Sequence, residues 1–331
     1  MLNHPQTTYR AWTWTEKGES ATLRIAEKAL PKPGPGDVLV ANRAIGLNPV
    51  DWKVIQRGHA DWKPGHVPGV DGAGIIAAAG EGVHLPEGLR VAYHQRLLRD
   101  GSFAEYTLVR AESLLPIPAE MTDAVAASLP CPGLTAWQAF AKIPPEPDRD
   151  VLVTGAGGSV GLLLAQLAVG QGWRIWVTAA KAHHEGLKGL GIAGAFDYRD
   201  ESWRTALQAA LGPRRLFAAF DTVSGDHARS LAPMIGYNGH LVCIQDRLEA
   251  APLPGFTTAL SLHEVALNSV HAHATERDWR EWRETGARLF RRVAVGNLRL
   301  PPIHVAGFDS LPEKLGLFKA QSLKGKVVVT V

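Results

Sequence analysis

The chain has 331 residues, 46% hydrophobic and 20% charged, an ordinary composition for a globular enzyme and enough length for about two domains with sizeable cores. Its 35 Lys and Arg against 32 Asp and Glu leave a net charge of +3, too little to direct it to nucleic acid or an anionic membrane surface. Two cysteines, Cys131 and Cys243, exclude a disulfide framework and suit a reducing cytoplasm; the opening MLNHPQTTYR has no apolar signal core, and no apolar run approaches the ~20 residues of a membrane span.

Residues 1–130 read as β-rich. Strands are predicted over Thr8–Trp14, Leu23–Glu27, Val38–Ile45, Val91–Tyr93 and Phe103–Val109, punctuated by the turn PKPGPGD and by a glycine- and alanine-rich run, Gly69–Gly80. Short strands at this spacing point to a compact barrel-like domain. Thr122–Lys142 reads as one or two helices, ended by PPEPD. From Val151 strand and helix alternate. Strands are predicted at Val151–Thr154, Arg174–Thr178, Ala195–Asp197, Phe217–Asp221 and His240–Ile244, with helices at 160–170, 181–190, 202–211 and 226–234. That alternation marks a doubly wound parallel sheet. A charged amphipathic helix follows at Arg277–Val295, and the tail ends in a strand, Lys326–Val331. An α/β block between β-rich ends implies a discontinuous first domain, 1–130 with 273–331, around a cofactor domain at 131–272, with the cleft between them the natural ligand site.

The chemistry begins at DVLVTGAGGSVGLLLAQ, Asp150–Gln166. A buried strand enters an apolar helix through a glycine turn, which leaves the first helical N–H groups unpaired and makes an anion site suited to a pyrophosphate. The spacing is Gly155-x-x-Gly158-x-x-Gly161, with Gly157 between; the literal G-x-G-x-x-G fingerprint is missed by one residue. Taken alone, the stretch is compatible with an ordinary strand–helix turn. The strand Arg174–Thr178 is followed by Ala-Ala-Lys181, with no carboxylate for a ribose hydroxyl, so Lys181 is either a partner for a 2′-phosphate or a solvated helix-start lysine.

Several segments in order resemble the medium-chain dehydrogenase/reductase superfamily, in its zinc-free quinone oxidoreductase-like branch. They are EKALPKPGPGDVLV, AIGLNPVDWKVIQRG, VPGVDGAGIIAAAGEGV, GSFAEYTLV, SLPCPGLTAW, DVLVTGAGGSVG and the later FDYRDE, FDTVSG and YNGHLVCI. The resemblance covers nearly the whole chain. It implies an α/β fold, a GroES-like β-barrel catalytic domain plus a doubly wound Rossmann domain binding NADPH, and a homodimer joined sheet edge to sheet edge. It also implies roles for residues. The pyrophosphate turn is Gly155, Gly157, Gly158, Ser159, Val160 and Gly161. Lys181 and Tyr198 contact the adenosine side, with Arg199 adjacent. Thr135, Val223, Ile244 and His271 lie along the rest of the cofactor, and Asn48 faces nicotinamide and substrate.

Where zinc members carry Cys, His and Cys, this chain has Asn48, Val70 and Cys131, and His94–Gly101 contains no structural-zinc cysteines. One thiol does not make the three-ligand set of a catalytic zinc, so no metal is expected; His59 and His66 are spare imidazoles nearby. Asn48 carries an amide that both donates and accepts, or is a turn residue before Pro49; Asp51 reads as a cap for a helix from Trp52. Tyr93 is either a proton donor to an enolate oxygen or a strand-end aromatic, and Trp52 and Trp62 either stack on a flat substrate or belong to the core. The activity expected is NADPH-dependent, zinc-independent hydride transfer to a quinone, enone or other activated carbonyl. The alternatives are a zinc-type alcohol dehydrogenase and a non-catalytic NADPH-binding protein.

Overall fold

The computed structural model describes residues 7–331; residues 1–6, which make up most of the opening MLNHPQTTYR, lie outside the described residues. Two compact units emerge. The first takes the chain up to Cys131 together with Asn268–Asn297 and Pro302–Val331, and the second takes Pro132–Leu267 and Leu298–Pro301.

The first unit opens with an antiparallel ribbon of β1 (Thr8–Thr13) and β2 (Arg24–Ala29). Then come β3 (Asp37–Gly46), helix α1 (Pro49–Arg57), β4 (Asp71–Ala79), β5 (Arg90–His94), β6 (Tyr106–Arg110), the short β7 (Leu115–Pro116) and α2 (Asp123–Ala127). β3 is the organiser. It pairs antiparallel with β4 along its whole length, with register shifts at Leu39/Val40 and Asn42/Ala44, while β6 pairs with Asp37–Ala41. Such irregularities bend a strand and increase its twist. The glycine- and alanine-rich run, which carries no strand signal in the sequence, is β4. It lies so close to β3 that a Cβ on Gly74 would stand 2.0 Å from the Ala41 carbonyl oxygen.

The second unit begins with α3 (Pro130–Phe140), which crosses the boundary. It continues through β8 (Asp150–Val153), α4 (Ser159–Gly170), β9 (Arg174–Thr178), α5 (His184–Lys188), β10 (Gly194–Phe196), α6 (Trp203–Leu211), β11 (Leu216–Asp221), α7 (Asp226–Leu231), β12 (Ile235–Cys243) and β13 (Ser261–Glu264). All six strands are parallel, in the order β10-β9-β8-β11-β12-β13, so the chain steps outward from β8 and then returns to its other side. β8 and β11 are buried at every position, which is why DVLV and LFAAFD read as continuous rather than alternating apolar runs. The buried acid Asp150 is held by Arg174 at 2.9 Å and the Trp176 indole N–H at 2.8 Å. The segment 181–190, expected as one helix, is a 3-10 turn over Lys181–His183 followed by α5.

The chain re-enters the first unit with α8 (Val270–His273) and α9 (Glu276–Ala294), then β14 (Ile303–Gly307), α10 (Leu311–Lys319) and β15 (Lys326–Thr330). Thr275 caps α9, exchanging bonds with Asp278, and the helix buries Trp279, Trp282, Leu289 and Phe290 on one face. β15 pairs parallel with β14 and antiparallel with the end of β3, Val328 opposite Gly46. The sheet therefore runs β14-β15-β3-β4-β5-β7, with β6 and β15 sharing one edge of β3.

Candidate active site and cofactor cradle

In the second unit the glycine turn joins β8 to α4, directly beside the end of β9. Gly155 has φ of +64°, and a Cβ there would stand 2.3 Å from Thr222 Oγ1; a Cβ on Gly161 would stand 2.5 Å from the Gly155 carbonyl oxygen. Side chains are therefore excluded from both the turn and its contact with the helix. Thr178 ties the turn down, its Oγ1 accepting the Gly155 N–H at 3.2 Å and its carbonyl the Ala156 N–H at 2.9 Å. The N–H groups of Ser159, Val160 and Gly161 have no backbone acceptor among the described residues. An N-terminus with free N–H groups over a side-chain-free turn fits the pyrophosphate of a dinucleotide.

The other expected cofactor residues of this unit follow the carboxyl ends of its strands: Lys181 after β9, Tyr198 after β10, Val223 after β11 and Ile244 after β12. Lys181, Tyr198 and Val223 are exposed and Ile244 is buried. This is the edge where open parallel sheets bind ligands, flanking the point where strand order reverses. Asp197, at the end of β10, accepts the backbone N–H groups of Lys181 at 3.3 Å and Arg199 at 3.0 Å. Beneath the turn, Asp221 takes bonds from Thr154 Oγ1, His227 and the Ser224 N–H. Burial raises its pKa, but the His227 and backbone bonds outweigh that and the net shift is downward. Thr135 is buried on α3.

The first unit holds a buried polar network. Asn48 precedes α1 and is 2% exposed. Its amide donates to the Gly46 carbonyl at 3.1 Å and to Asp71 Oδ2 at 3.0 Å, and its oxygen accepts from the ammonium of Lys326, the first residue of β15. Asp71 also accepts the Cys131 N–H at 2.9 Å and faces His94 Nδ1 at 2.8 Å; His94 Nε2 lies 3.2 Å from Asn268 Nδ2. Asp51 is the third helical residue rather than the cap, taking the N–H groups of Asn48 at 2.7 Å and Val70 at 3.1 Å. Burial, reinforced by the Asp71 charge, lifts its carboxyl to about 7 against the pull of those N–H groups and Lys326. Burial likewise lowers the Lys326 ammonium below the ordinary lysine range, opposed by Asp71, Cys131 and Asp51.

Two expectations are corrected here, those for Asn48 and Tyr93, and His271 is given its place in the fold. Asn48 does not offer a free amide, because both its N–H donors are spent inside the network and its oxygen already accepts from Lys326. Tyr93 is fully buried among Val38, Val40, Ile76 and Val109, and its hydroxyl donates to Asn42 Oδ1 at 2.8 Å. It is a core residue with no face open to a substrate, and burial pushes its pKa upward. His271, expected along the cofactor, lies on α8 in the first unit, its Nε2–H directed at the His94 carbonyl at 3.0 Å. Burial, with His94 nearby, lowers its pKa to about 3.

His59 and His66 are not the donors nearest Cys131. His66 stacks on Trp62 at 4.2 Å, and Trp62 is a core residue whose indole donates to Leu97. The donor atoms that converge are those of Asp71, His94 and Cys131, all within 4.8 Å of one another. The sequence locates Asp71 only as the neighbour of Val70, and nothing in GKVVVTV marks Lys326 as an inward-facing cation.

Comparison with known proteins agrees with this architecture. Residues 34–119 match the family described as "Alcohol dehydrogenase GroES-like domain". The chain is 33% identical to the trans-enoyl reductase tazE of Aspergillus terreus over 202 residues, 54% of this chain and 65% of that protein, so the match spans just under two thirds of that relative. It is 26% identical to the quinone oxidoreductase of Sus scrofa over 281 residues, 83% of this chain and 82% of that one. The solved quinone oxidoreductase of Pseudomonas syringae shares the fold, with a TM-score of 0.85 at 20% identity over 98% of this chain and all of that one. A GroES-like unit joined to a Rossmann-like parallel sheet, with these similarities, supports the medium-chain dehydrogenase/reductase superfamily and its quinone oxidoreductase-like branch.

Proposed function

We propose that the chain is an NADPH-dependent, zinc-independent oxidoreductase that passes a hydride to a quinone, an enone or another activated carbonyl. The observation that carries this reading is the glycine turn over β8 with its free helical N–H groups and, beside it, Lys181 at the end of β9. The bound nicotinamide would supply the hydride. The chain's residues would bind and orient it: Gly155, Gly157, Gly158, Ser159, Val160 and Gly161 at the pyrophosphate, Lys181 and Tyr198 at the adenosine ribose, and Val223, Ile244 and Thr135 along the remainder. The buried set Lys326–Asn48–Asp71–His94 holds the end of β3 and the start of α1 in fixed geometry. With Tyr93 withdrawn into the core, solvent supplies the proton that completes the reduction. The names of the relatives, an enoyl reductase and quinone oxidoreductases, support this substrate class.

A second reading has one observation in its favour, the convergence of Asp71, His94 and Cys131, which is a donor set suited to zinc. Against it, the Asp71 carboxylate already serves three partners and Lys326 brings a positive charge beside it. We further propose a cytoplasmic homodimer joined through β13, an edge strand that exposes Leu262 and is preceded by a loop with Phe256 fully exposed. Among the described residues no helix is long and apolar enough to cross a membrane.

The test is oxidation of NADPH over a panel of quinones, enones and aldehydes, with and without a chelator. Lys181→Ala is expected to weaken NADPH binding by roughly 10- to 100-fold while leaving NADH unchanged. Tighter binding of NADH would overturn the NADPH preference, and turnover abolished by the chelator would replace this reading with the second.

A further inference from the structure

The imidazole of His183 packs on the glycine turn. A Cβ built on Gly157 would stand 2.8 Å from His183 Cδ2 and 3.1 Å from Nε2, so the ring occupies the space a side chain at 157 would need. His183 closes the 3-10 turn that begins at Lys181, directly after β9. That is where dinucleotide folds read the 2′ position of the adenosine ribose. The ring therefore bridges the loop that reads the ribose and the turn that takes the pyrophosphate. It is half-buried and makes no hydrogen bond to another described residue, whereas its neighbour His184 directs Nε2 at the Ala179 carbonyl at 2.9 Å.

The surrounding fixed charges come close to balance. Lys181 lies on the same turn, His184, Glu185 and Lys188 on α5, and Asp197, Arg199, Asp200 and Glu201 on the loop after β10, while the glycine turn brings no charged side chain. Asp197 is already occupied by the N–H groups of Lys181 and Arg199. A 2′-phosphate carries close to two negative charges at neutral pH, and one lysine does not offset them. An imidazole held against the same turn is the group that can acquire the missing charge, since histidine is the side chain that protonates in this range.

We infer that His183 is a second ligand for the 2′-phosphate beside Lys181, and that it takes up a proton as NADPH binds, so that discrimination between NADPH and NADH is linked to pH. The inference rests on the NADPH reading above.

Calorimetric titration in two buffers of different ionisation enthalpy, at about pH 7.5, measures the protons exchanged on binding. Wild type is expected to take up a substantial fraction of a proton with NADPH and none with NADH. His183→Gln should abolish the uptake and weaken NADPH by roughly 3- to 10-fold, the range of one partly exposed charged contact, leaving NADH within about twofold. His183→Phe should lose NADPH affinity equally; if it retains that affinity, the ring acts by stacking and the inference is overturned. Equal proton uptake by wild type and His183→Gln also overturns it, because the phosphate alone would then account for the exchange. NADPH preferred without any His183-dependent uptake overturns the inference and leaves the cofactor reading standing. NADPH bound no more tightly than NADH by wild type and by Lys181→Ala overturns both. His183 is on a half-exposed turn, and an unchanged thermal midpoint shows that each variant is folded.

Discussion

The ammonium of Lys326 donates to the carboxamide oxygen of Asn48, joining side chains 278 positions apart in the sequence. The contact brings a buried cation to Asp71 and Asp51, two carboxylates that burial would otherwise leave exposed to each other's charge. Removing one partner of a buried charged set costs about 3–5 kcal/mol, because the remaining charges lose their counter-ion without regaining water. Lys326→Met, close in volume, is therefore expected to lower the unfolding free energy by about that amount, with part of the loss restored in the Lys326→Met, Asp71→Asn double variant. Urea unfolding of the three proteins checks it; an unchanged midpoint in the single variant would show that the lysine contributes nothing net.

Asp51 gives the pH dependence a definite sign. Its folded-state value is raised, to about 7 from 3.8. Its contribution is therefore fully present below the unfolded value and is lost as pH rises toward 7, by at most about 1.4 kcal/mol per pH unit. Asp51→Asn forfeits one accepting oxygen but does not titrate. The gap in unfolding free energy between wild type and variant should narrow from about pH 4.5 to about pH 6.5. Parallel profiles would refute this.

Tyr93→Phe separates the two roles open to that tyrosine in the sequence. The hydroxyl serves Asn42, whose amide in turn holds Ala104 at 2.8 Å and Thr107 at 2.9 Å. Its loss leaves a buried acceptor short of a partner and should cost about 1–3 kcal/mol of stability. Turnover per folded molecule should stay within about twofold, since no chemistry is removed. A hundredfold fall in kcat at unchanged stability would return Tyr93 to the reaction.

Gly161→Ala tests the cradle. The new Cβ would meet the backbone of Gly155 at 2.5 Å, and backbone cannot step aside as a flexible side chain can. α4 must shift away from the turn, carrying its N–H groups with it. We expect a stability loss of about 1–3 kcal/mol and at least a roughly tenfold loss of NADPH affinity, read from binding isotherms of the folded protein. Undiminished affinity would place the pyrophosphate elsewhere.

Legibility followed local chemistry. The second unit could be read almost strand by strand, because strands buried on both faces are written as unbroken apolar runs and the turns between them carry glycine. β4 was not readable, since close approach to β3 demands glycine and alanine where a strand signal needs branched side chains. β13 was missed because an exposed edge of four residues, SLHE, has no core face to pattern. At the site, Asn48 was located but its surroundings were not. The residue that consumes its carbonyl comes from the last strand, and an inward-facing lysine looks in sequence like any other strand-start cation. Tyr93 shows the converse limit: alternation marks a residue as facing one side of a strand, and which side is the core is settled only by what packs there.

The position of β15 in the chain also sets an order of events during synthesis. β3 and β4 leave the ribosome early, but the stretch of β3 from Ala44 to Gly46 has no partner on its second edge until β15 has been made. The whole second unit is translated in between. Throughout that interval the nascent first unit presents an open sheet edge, and two carboxylates destined for burial have no counter-cation. Closure of a loop this long is slow, and an unpaired edge is what other chains pair with. The second unit can fold as soon as it emerges, whereas the first is completed only by its final strand, which leaves this early-synthesised sheet the part of the molecule most in need of protection by a chaperone.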